Sequence, residues 1–497
     1  MREPVSTTGA ETSTAEAPTE SDRIDLFPFQ HRLADVMTAA STGIGPENTI
    51  ATAVNELAQQ YTSCLISIDR NRRPIGILTE HDVIKALAAH GAAALTMHVD
   101  TMMSSPVVTM PPDAFLFAAI ARMHRLGIRH LAITDQIDGK LVGVLRLATL
   151  LRQRAEGALM VQGDIAAAQS LTELRAAQAR LPHLAATLRR EGLLPDQVAG
   201  VISTTICETT KRAAELALID MTAAGHGPAP ARWSLLILGS AGRGESLLAA
   251  DQDNALIHDG DSDDLPWFAD FGKRIADLLD GAGIPYCRGG VMAANPELRH
   301  NIRGWRRRIT AWLEAATPEA LLNADIFYDF KPVAGDMALA ASLRAEAATS
   351  ARGHRVFHAL LAREIGHKGS ALSLLGKFRT HGGRVDLKAH GLQPLVSGAR
   401  VLALELGLRI TSTLGRWRAA HAAQLVSAHD LVRIEDAFTL ILDLMLEQQL
   451  TDIDHGIAPS PLVETGRLHM IEKRRLKEAL QMVDQTDLLV RNSLGIV

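Results

Sequence analysis

The sequence predicts a multidomain chain, α/β in its first two folded regions and all-α in its last, and three observations carry that prediction. Residues 26–152 contain an internal repeat, residues 231–344 carry an apolar strand that runs into a glycine turn and a second strand, and residues 345–497 are helical in pattern with glycines as punctuation. At 497 residues and 47% hydrophobic, the chain can bury several cores of ordinary size. A formal charge of -5 with no long basic run excludes generic attraction to nucleic acid or anionic lipid. Cys64, Cys207 and Cys287 lie far apart with no Cys-x-x-Cys pair, which argues against a cysteine zinc site or a disulfide framework and fits a reducing compartment. No charge-free apolar run reaches transmembrane length, and the first residues carry Glu and Thr where a secretory signal would need a basic stretch. A cytoplasmic protein with no membrane or nucleic-acid partner is expected.

Residues 1–25 are rich in Ser, Thr, Ala, Pro and Glu, with almost no large apolar side chains to offset the entropy of ordering, so a disordered tail is expected. The repeat follows. Leu65-Ile66-Ser67-Ile68-Asp69 and Ile75-Gly76-Ile77-Leu78 reappear as Leu131-Ala132-Ile133-Thr134-Asp135 and Val142-Gly143-Val144-Leu145, a period of about 66 residues. Each unit reads as an amphipathic helix (50–60; 115–126), two β-branched strands joined by a polar turn, and a second helix, and the twins should pair to close a core. This pattern, with the leading segments Asp35-Val36-Met37 and Met102-Met103-Ser104, resembles the CBS domain pair, an adenine-nucleotide sensing module. The resemblance implies that Thr79 and Asp82 of Gly76-Ile77-Leu78-Thr79-Glu80-His81-Asp82 meet a nucleotide's phosphate and ribose. The second repeat has Arg146 and Thr149 at those positions, which predicts one ligand site rather than two. Simple capping of the following helix by Thr79 and Asp82 remains the alternative.

Residues 153–230 read as a helical connector, with a capping-box spacing at Ser170 and Glu173, a break at Gly192 and Pro195, and helical periodicity over 198–221. Then comes the informative stretch: an apolar strand from Trp233, the turn Gly239-Ser240-Ala241-Gly242-Arg243-Gly244-Glu245, and Asp251-Gln252-Asp253-Asn254-Ala255-Leu256-Ile257. Strand alternation puts Asp251 and Asp253 on one face, where two close carboxylates call for a hard divalent cation such as Mg²⁺. The glycine turn offers backbone N–H groups to a phosphate, and Arg243 adds a charged donor.

The arrangement resembles the nucleotidyltransferase superfamily typified by DNA polymerase β, and most closely the branch holding the protein-PII uridylyltransferases and the signal-transduction nucleotidyltransferases that carry CBS pairs. That resemblance implies transfer of a nucleoside monophosphate from a nucleoside triphosphate to an acceptor hydroxyl, on a PII-like regulator or a small molecule. It further implies two Mg²⁺ ions held by Asp251, Asp253 and a third carboxylate, Asp329 of Asp329-Phe330-Lys331, with Asp325 as the alternative on the same strand. Gly239, Ser240, Gly242 and Arg243 take the triphosphate. Gly289 and Gly290 suggest a tight turn beside the site, with Cys287 as a packed thiol. The last region resembles the helical substrate-binding domain of that branch through Arg384-Val385-Asp386-Leu387-Lys388, Arg400, Thr413, Arg416 and Gln448-Gln449, although Asp386, Lys388 and Arg400 also suit a solvated helix surface. His367, His381 and His390 lack the spacing of a helical metal site. Regulation by an adenine nucleotide and a homodimer through the CBS pair are expected; a nucleotide sensor with a catalytically silent transferase scaffold is the alternative.

Overall fold

The computed structural model describes residues 31–39, 43–60, 62–135, 137–146, 160–262, 266–315, 326–367, 369–373 and 375–496. The tail expected over 1–25, Thr149 and Asp325 lie outside them. The chain forms two compact units, Met1–Arg154 and Ala155–Val497. Among the described residues, no helix is long and apolar enough to cross a membrane.

In the first unit the repeat is visible in three dimensions. Helix α1 (Leu33–Val36) and strand β1 (Thr38–Ala39) precede α2 (Ile50–Gln59), β2 (Cys64–Ile68), β3 (Pro74–Thr79) and α3 (Glu80–His90); β4 (Thr109–Met110), α4 (Leu116–Leu126), β5 (His130–Thr134) and β6 (Leu141–Arg146) follow. The hairpins β2/β3 and β5/β6 are antiparallel, with register shifts at Ser67/Ile68 and Ile133/Thr134, equivalent places in the two copies. Both turns are built by an aspartate: Asp69 Oδ1 accepts from Asn71 N and Arg73 N, and Asp135 Oδ1 from Ile137 N and Asp138 N. The segment leading each copy completes the other: β1 pairs with β6, and Ser104 bridges Ile77. A side chain on Gly76 would collide with Met103, and one on Gly143 with Met37, so both glycines serve close approach. Cys64 and Ile66 of the first copy share a buried cluster with Ala132, Leu141 and Val144 of the second, which closes the core between the twins.

The second unit begins with α5 (Leu171–Gln178), α6 (Leu181–Arg190) and the long α7 (Pro195–Ala223). Strand β7 (Trp233–Ile237), α8 (Gly239–Arg243), β8 (Asn254–His258), α9 (Pro266–Ala282), β9 (Arg299–Asn301), α10 (Ile302–Ala315), β10 (Lys331–Gly335) and α11 (Met337–Ala351) form the α/β region. Its sheet runs β10-β7-β8-β9, with β7 antiparallel to both neighbours and β8 parallel to β9. Residues 153–230 are more than a connector, because α7 shares one core with this sheet. Helix α7 starts at Pro195, and its buried hydroxyls are satisfied within the helix: Ser203, Thr205, Thr209 and Thr210 each donate to the carbonyl four residues back.

Helices α12 (Arg355–His367), α13 (Gln393–Glu405), α14 (Thr413–Ala422), α15 (Ala428–Asp454) and α16 (Met470–Leu494) make the helical region, which also carries a short ribbon the sequence pattern did not suggest: β11 (Arg384–Asp386) against β12 (Leu462–Glu464). Arg384 fixes the ribbon to α15 through paired hydrogen bonds to Asp452 at 2.7 and 2.8 Å. A single π-helical turn, Lys388–Leu392, links β11 to α13.

Candidate active site

Strand β7 is buried along nearly its whole length and ends at Ile237; it is followed by Leu238, whose N–H donates to Asp253 O at 2.8 Å. The next residue, Gly239, has φ +57°, and a Cβ there would collide with Asp253 Oδ2. Glycine is thus required both by conformation and by the carboxylate lying against it. The turn is anchored from below: Ser240 and Ser246 hydroxyls are 2.7 Å apart, and Ser246 N donates to Ser203 Oγ on α7. Gly242 packs against the backbone of Asp329, leaving no room for a side chain.

Asp251 and Asp253 sit just before β8, in extended chain. Between them Gln252 points the other way, its amide donating to Ala276 O and Ile284 O at 2.9 Å, so alternation leaves both carboxylates on the cleft side. Cys287 joins them, with one ligand atom of each of the three within 4.8 Å of the others. Burial and the neighbouring Asp251 push the Asp253 carboxyl up to about 6, against the Cys287 thiol's hydrogen bond and the charges of Lys388 and Arg243. Burial and Asp253 push the Cys287 thiol up to about 11. Its hydrogen bond to Asp253 fits the packed thiol expected from the sequence. Gly290 has φ +70° and its N–H donates to Cys287 O, which forms the tight turn expected beside the site.

A cleft of about 300 Å³ opens between the α/β sheet and the helical region. Gly239, Ser240, Arg243, Asp251 and Asp253 line it on one side; Lys388, Arg400 and Gln449 line it on the other. Lys388 is exposed, and among the described residues it makes no ion pair. Gln449 closes the cleft's edge by accepting from Ala249 N at 3.2 Å.

The third carboxylate does not join this group. Residues Ile326 and Phe327 are helical and Asp329 occupies the turn before β10, so the continuous strand expected from Asp325 to Asp329 is replaced by a helix-turn entry into a shorter strand. Asp329 is fully buried and both its oxygens are taken: Arg243 donates at 2.7 Å, Arg416 at 2.7 Å, and Arg400 to both oxygens. Burial alone would raise its carboxyl, but the guanidiniums of Arg400, Arg416 and Arg243 outweigh that and hold it below the usual carboxylate range. Asp329 therefore has no oxygen left for a metal, and the two-ion arrangement loses its third ligand. Arg243 is likewise committed, since its Nε donates to Glu245 at 2.7 Å while Glu245 also accepts from Thr413. Arg400 is 2% exposed and belongs to this buried ion cluster instead of a solvated surface.

In the first unit Thr79 and Asp82 form a capping box: Thr79 N and Oγ1 donate to Asp82 Oδ2 at 2.9 and 2.7 Å, and Asp82 N donates back to Thr79 Oγ1. The capping alternative is thus realised. His381 is exposed and His390 bonds Gly369 O, and neither joins a group able to hold a metal among the described residues.

Comparison with known families matches three models. Residues 179–319 match "Putative nucleotidyltransferase DUF294", residues 355–493 match "Putative nucleotidyltransferase substrate binding domain", and residues 33–89 and 99–156 match the CBS domain. Relatives cover a quarter of the chain. A 17.7 kDa protein of Acidianus ambivalens is 29% identical over 121 residues, 24% of this chain and 71% of that one. A homoserine O-acetyltransferase of Methanococcoides burtonii is 29% identical over 122 residues, 24% of each chain. Among solved structures, the CBS-domain containing protein ATU1752 from Agrobacterium tumefaciens is 24% identical, covering 25% of this chain and 98% of that one with a TM-score of 0.23. CBSX2 in complex with AMP is 20% identical, covering 25% and 97%, also with a TM-score of 0.23. The chain carries, in order, a CBS pair, a nucleotidyltransferase domain of the DUF294 family and its C-terminal substrate-binding domain.

Proposed function

We propose that the cleft performs nucleotidyl transfer, in which an acceptor hydroxyl attacks the α-phosphorus of a nucleoside triphosphate and pyrophosphate leaves. One observation carries the reading: Asp251 and Asp253 converge against the Gly239 turn at one wall of a cleft whose other wall presents Lys388. The donors fit a divalent cation such as Mg²⁺, since two carboxylates lie together and burial has pushed one of them upward, as expected where a cation is needed to balance them. Asp251 and Asp253 would hold it. Bound there, the ion supplies neutralisation of the triphosphate and polarisation of its oxygens. The Ser240 hydroxyl and the backbone N–H groups of the turn hold the outer phosphates, and Lys388 meets them from the helical side as a mobile point charge. Asp329 acts as a positioning residue, since it binds Arg243 of the turn to Arg400 and Arg416 of the helical region.

The finer reading, a uridylyl-type transfer to a PII-like protein, rests on the resemblance of residues 239–245 and 251–257 alone. Regulation by AMP, ADP or ATP at the first CBS repeat, and a homodimer through the CBS pair, belong to the same reading. Asp82 retains acceptor capacity for a ribose hydroxyl, whereas Thr79 meets a phosphate only by turning its hydroxyl proton from Asp82 to the ligand. The capture of Asp329 by three arginines favours the alternative of a silent scaffold, and one experiment separates the two. Purified protein is incubated with each α-labelled nucleoside triphosphate, Mg²⁺ and host lysate. Label on a macromolecule or metabolite, absent with Asp253→Asn, is expected; no transfer from any of the triphosphates favours the scaffold.

A further inference from the structure

The side chains that meet beside the Gly239 turn are not all oxygen donors. Asp251, Asp253 and Cys287 each place one ligand atom within 4.8 Å of the other two, and all three line the cleft. Among the described residues this is the one group arranged to hold a metal ion. The Asp251 carboxylate makes no hydrogen bond or ion pair among the described residues, so its charge is left facing the cleft.

Cys287 is placed by the turn that follows it. Gly290, at φ +70°, folds the chain back, and the backbone N–H groups of Gly289 and Val291 face the sulfur. Donors so directed favour an anionic sulfur over a neutral thiol, a surrounding that suits a thiolate ligand. The two carboxylates repel such an anion, and a cation shared by all three turns that repulsion into attraction. Asp329, the oxygen donor that would complete an all-oxygen site, is held by Arg243, Arg400 and Arg416. The donors left at the cleft are therefore two oxygens and one sulfur.

We infer that Asp251, Asp253 and the Cys287 thiolate form a mixed oxygen–sulfur site that selects Zn²⁺ over Mg²⁺. The inference rests on the reading that Asp251 and Asp253 hold a cation, and it changes which cation they prefer. Mg²⁺ takes oxygen ligands and keeps several waters, so a thiol adds nothing to its binding. Zn²⁺ accepts carboxylate oxygen and thiolate sulfur in one tetrahedral set. It holds oxygen at about 2.0 Å and sulfur at about 2.3 Å, which sets tetrahedral donors about 3.5 Å apart, within reach of side-chain rotation from the observed spacing. The thiol proton leaves to solvent as the sulfur binds, so zinc affinity rises with pH. The spacing of the three cysteines in sequence excludes a site built from several thiolates, not one thiolate beside two carboxylates.

The test uses the full chain, stripped with EDTA, and needs no transferase activity. Co²⁺ stands in for Zn²⁺, because sulfur coordination gives it a near-ultraviolet charge-transfer band that oxygen ligands do not. The band should saturate at one Co²⁺ per chain, vanish when Zn²⁺ is added and persist in a large excess of Mg²⁺. Cys287→Ser should abolish it and weaken zinc binding by on the order of 100-fold, while the Mg²⁺-induced rise in the unfolding midpoint stays. The unaltered chain gives a second readout: Zn²⁺ but not Mg²⁺ should protect Cys287 from iodoacetamide, read by peptide mapping that separates it from the buried Cys64 and Cys207. Absence of the band, or a band that survives Cys287→Ser, would overturn the inference and leave the carboxylate cation site standing if Mg²⁺ still raises the midpoint. Failure of every divalent ion to bind would remove both.

Discussion

Replacing Asp253 with Asn should stabilise the metal-free protein at alkaline pH while ending its chemistry. The Asp253 carboxyl is pushed from 3.8 to about 6, first by burial and second by Asp251. At 1.36 kcal/mol per pK unit, ionising it in the folded chain costs about 3 kcal/mol more than in the unfolded chain. The sign follows from proton counts: between the two values the folded state holds a proton that the unfolded state has lost, so stability falls as pH rises from about 4 through about 6 and then levels off. An amide never ionises and escapes this loss, although it still carries its own cost of burial. Asp253→Asn should therefore gain about 1–3 kcal/mol at pH 8, with about half of that left at pH 5. All five tryptophans, Trp233, Trp267, Trp305, Trp312 and Trp417, lie within Ala155–Val497, so their fluorescence in a urea titration with EDTA reports this unit alone. Mg²⁺ should raise the wild-type midpoint and leave the variant unmoved, because an ion that binds only the folded state stabilises it. A variant less stable than wild type at pH 8, or one whose advantage is the same at pH 5, would refute the argument.

Three further outcomes are expected. Gly239→Ala should lower transfer by on the order of 100-fold, since φ +57° and the collision with Asp253 Oδ2 together displace the carboxylate; steady-state rates on protein of verified fold check this. Asp329→Asn should cost about 3–5 kcal/mol in the urea titration, because it strips the negative charge from Arg243, Arg400 and Arg416. Calorimetry of the full chain with AMP should report a single nucleotide per chain, and Asp82→Ala should remove it while also lowering stability by about 1 kcal/mol through loss of the capping box.

The repeat was legible because its period is written in large apolar residues and repeated turn aspartates. Asp69 and Asp135 make the same turn, and the strands fall where the alternation puts them. The Asp251/Asp253 pair was legible for the same reason: strand parity is local, and Gln252 confirms it by turning inward. The crossing of the leading segments was not. Met37 and Met103 look like generic apolar residues in sequence, and only the fold shows that each presses on a glycine of the opposite copy. Residues 153–230 look like a connector because helical periodicity says nothing about which face of which neighbour a helix will cover; α7 became part of the α/β core by packing, a long-range choice.

Asp329 shows most clearly where sequence reasoning stops. Its surroundings in sequence, two aromatics and a lysine before a glycine, suit a strand end, and a carboxylate there invites comparison with Asp251 and Asp253. What decides its chemistry is which charges arrive from elsewhere. Arg243 comes from the glycine turn, Arg400 from α13 and Arg416 from α14, separations of 86, 71 and 87 residues with no local signal that they converge. Once they do, the same carboxylate that would have been a metal ligand becomes the anion on which two regions of the chain are pinned. Its acidity moves in the direction opposite to that of Asp253, although both are carboxylates shielded from solvent. The difference is the sign of the neighbour: Asp253 faces another carboxylate and is left wanting a cation, whereas Asp329 has three cations already and none of its oxygens to spare.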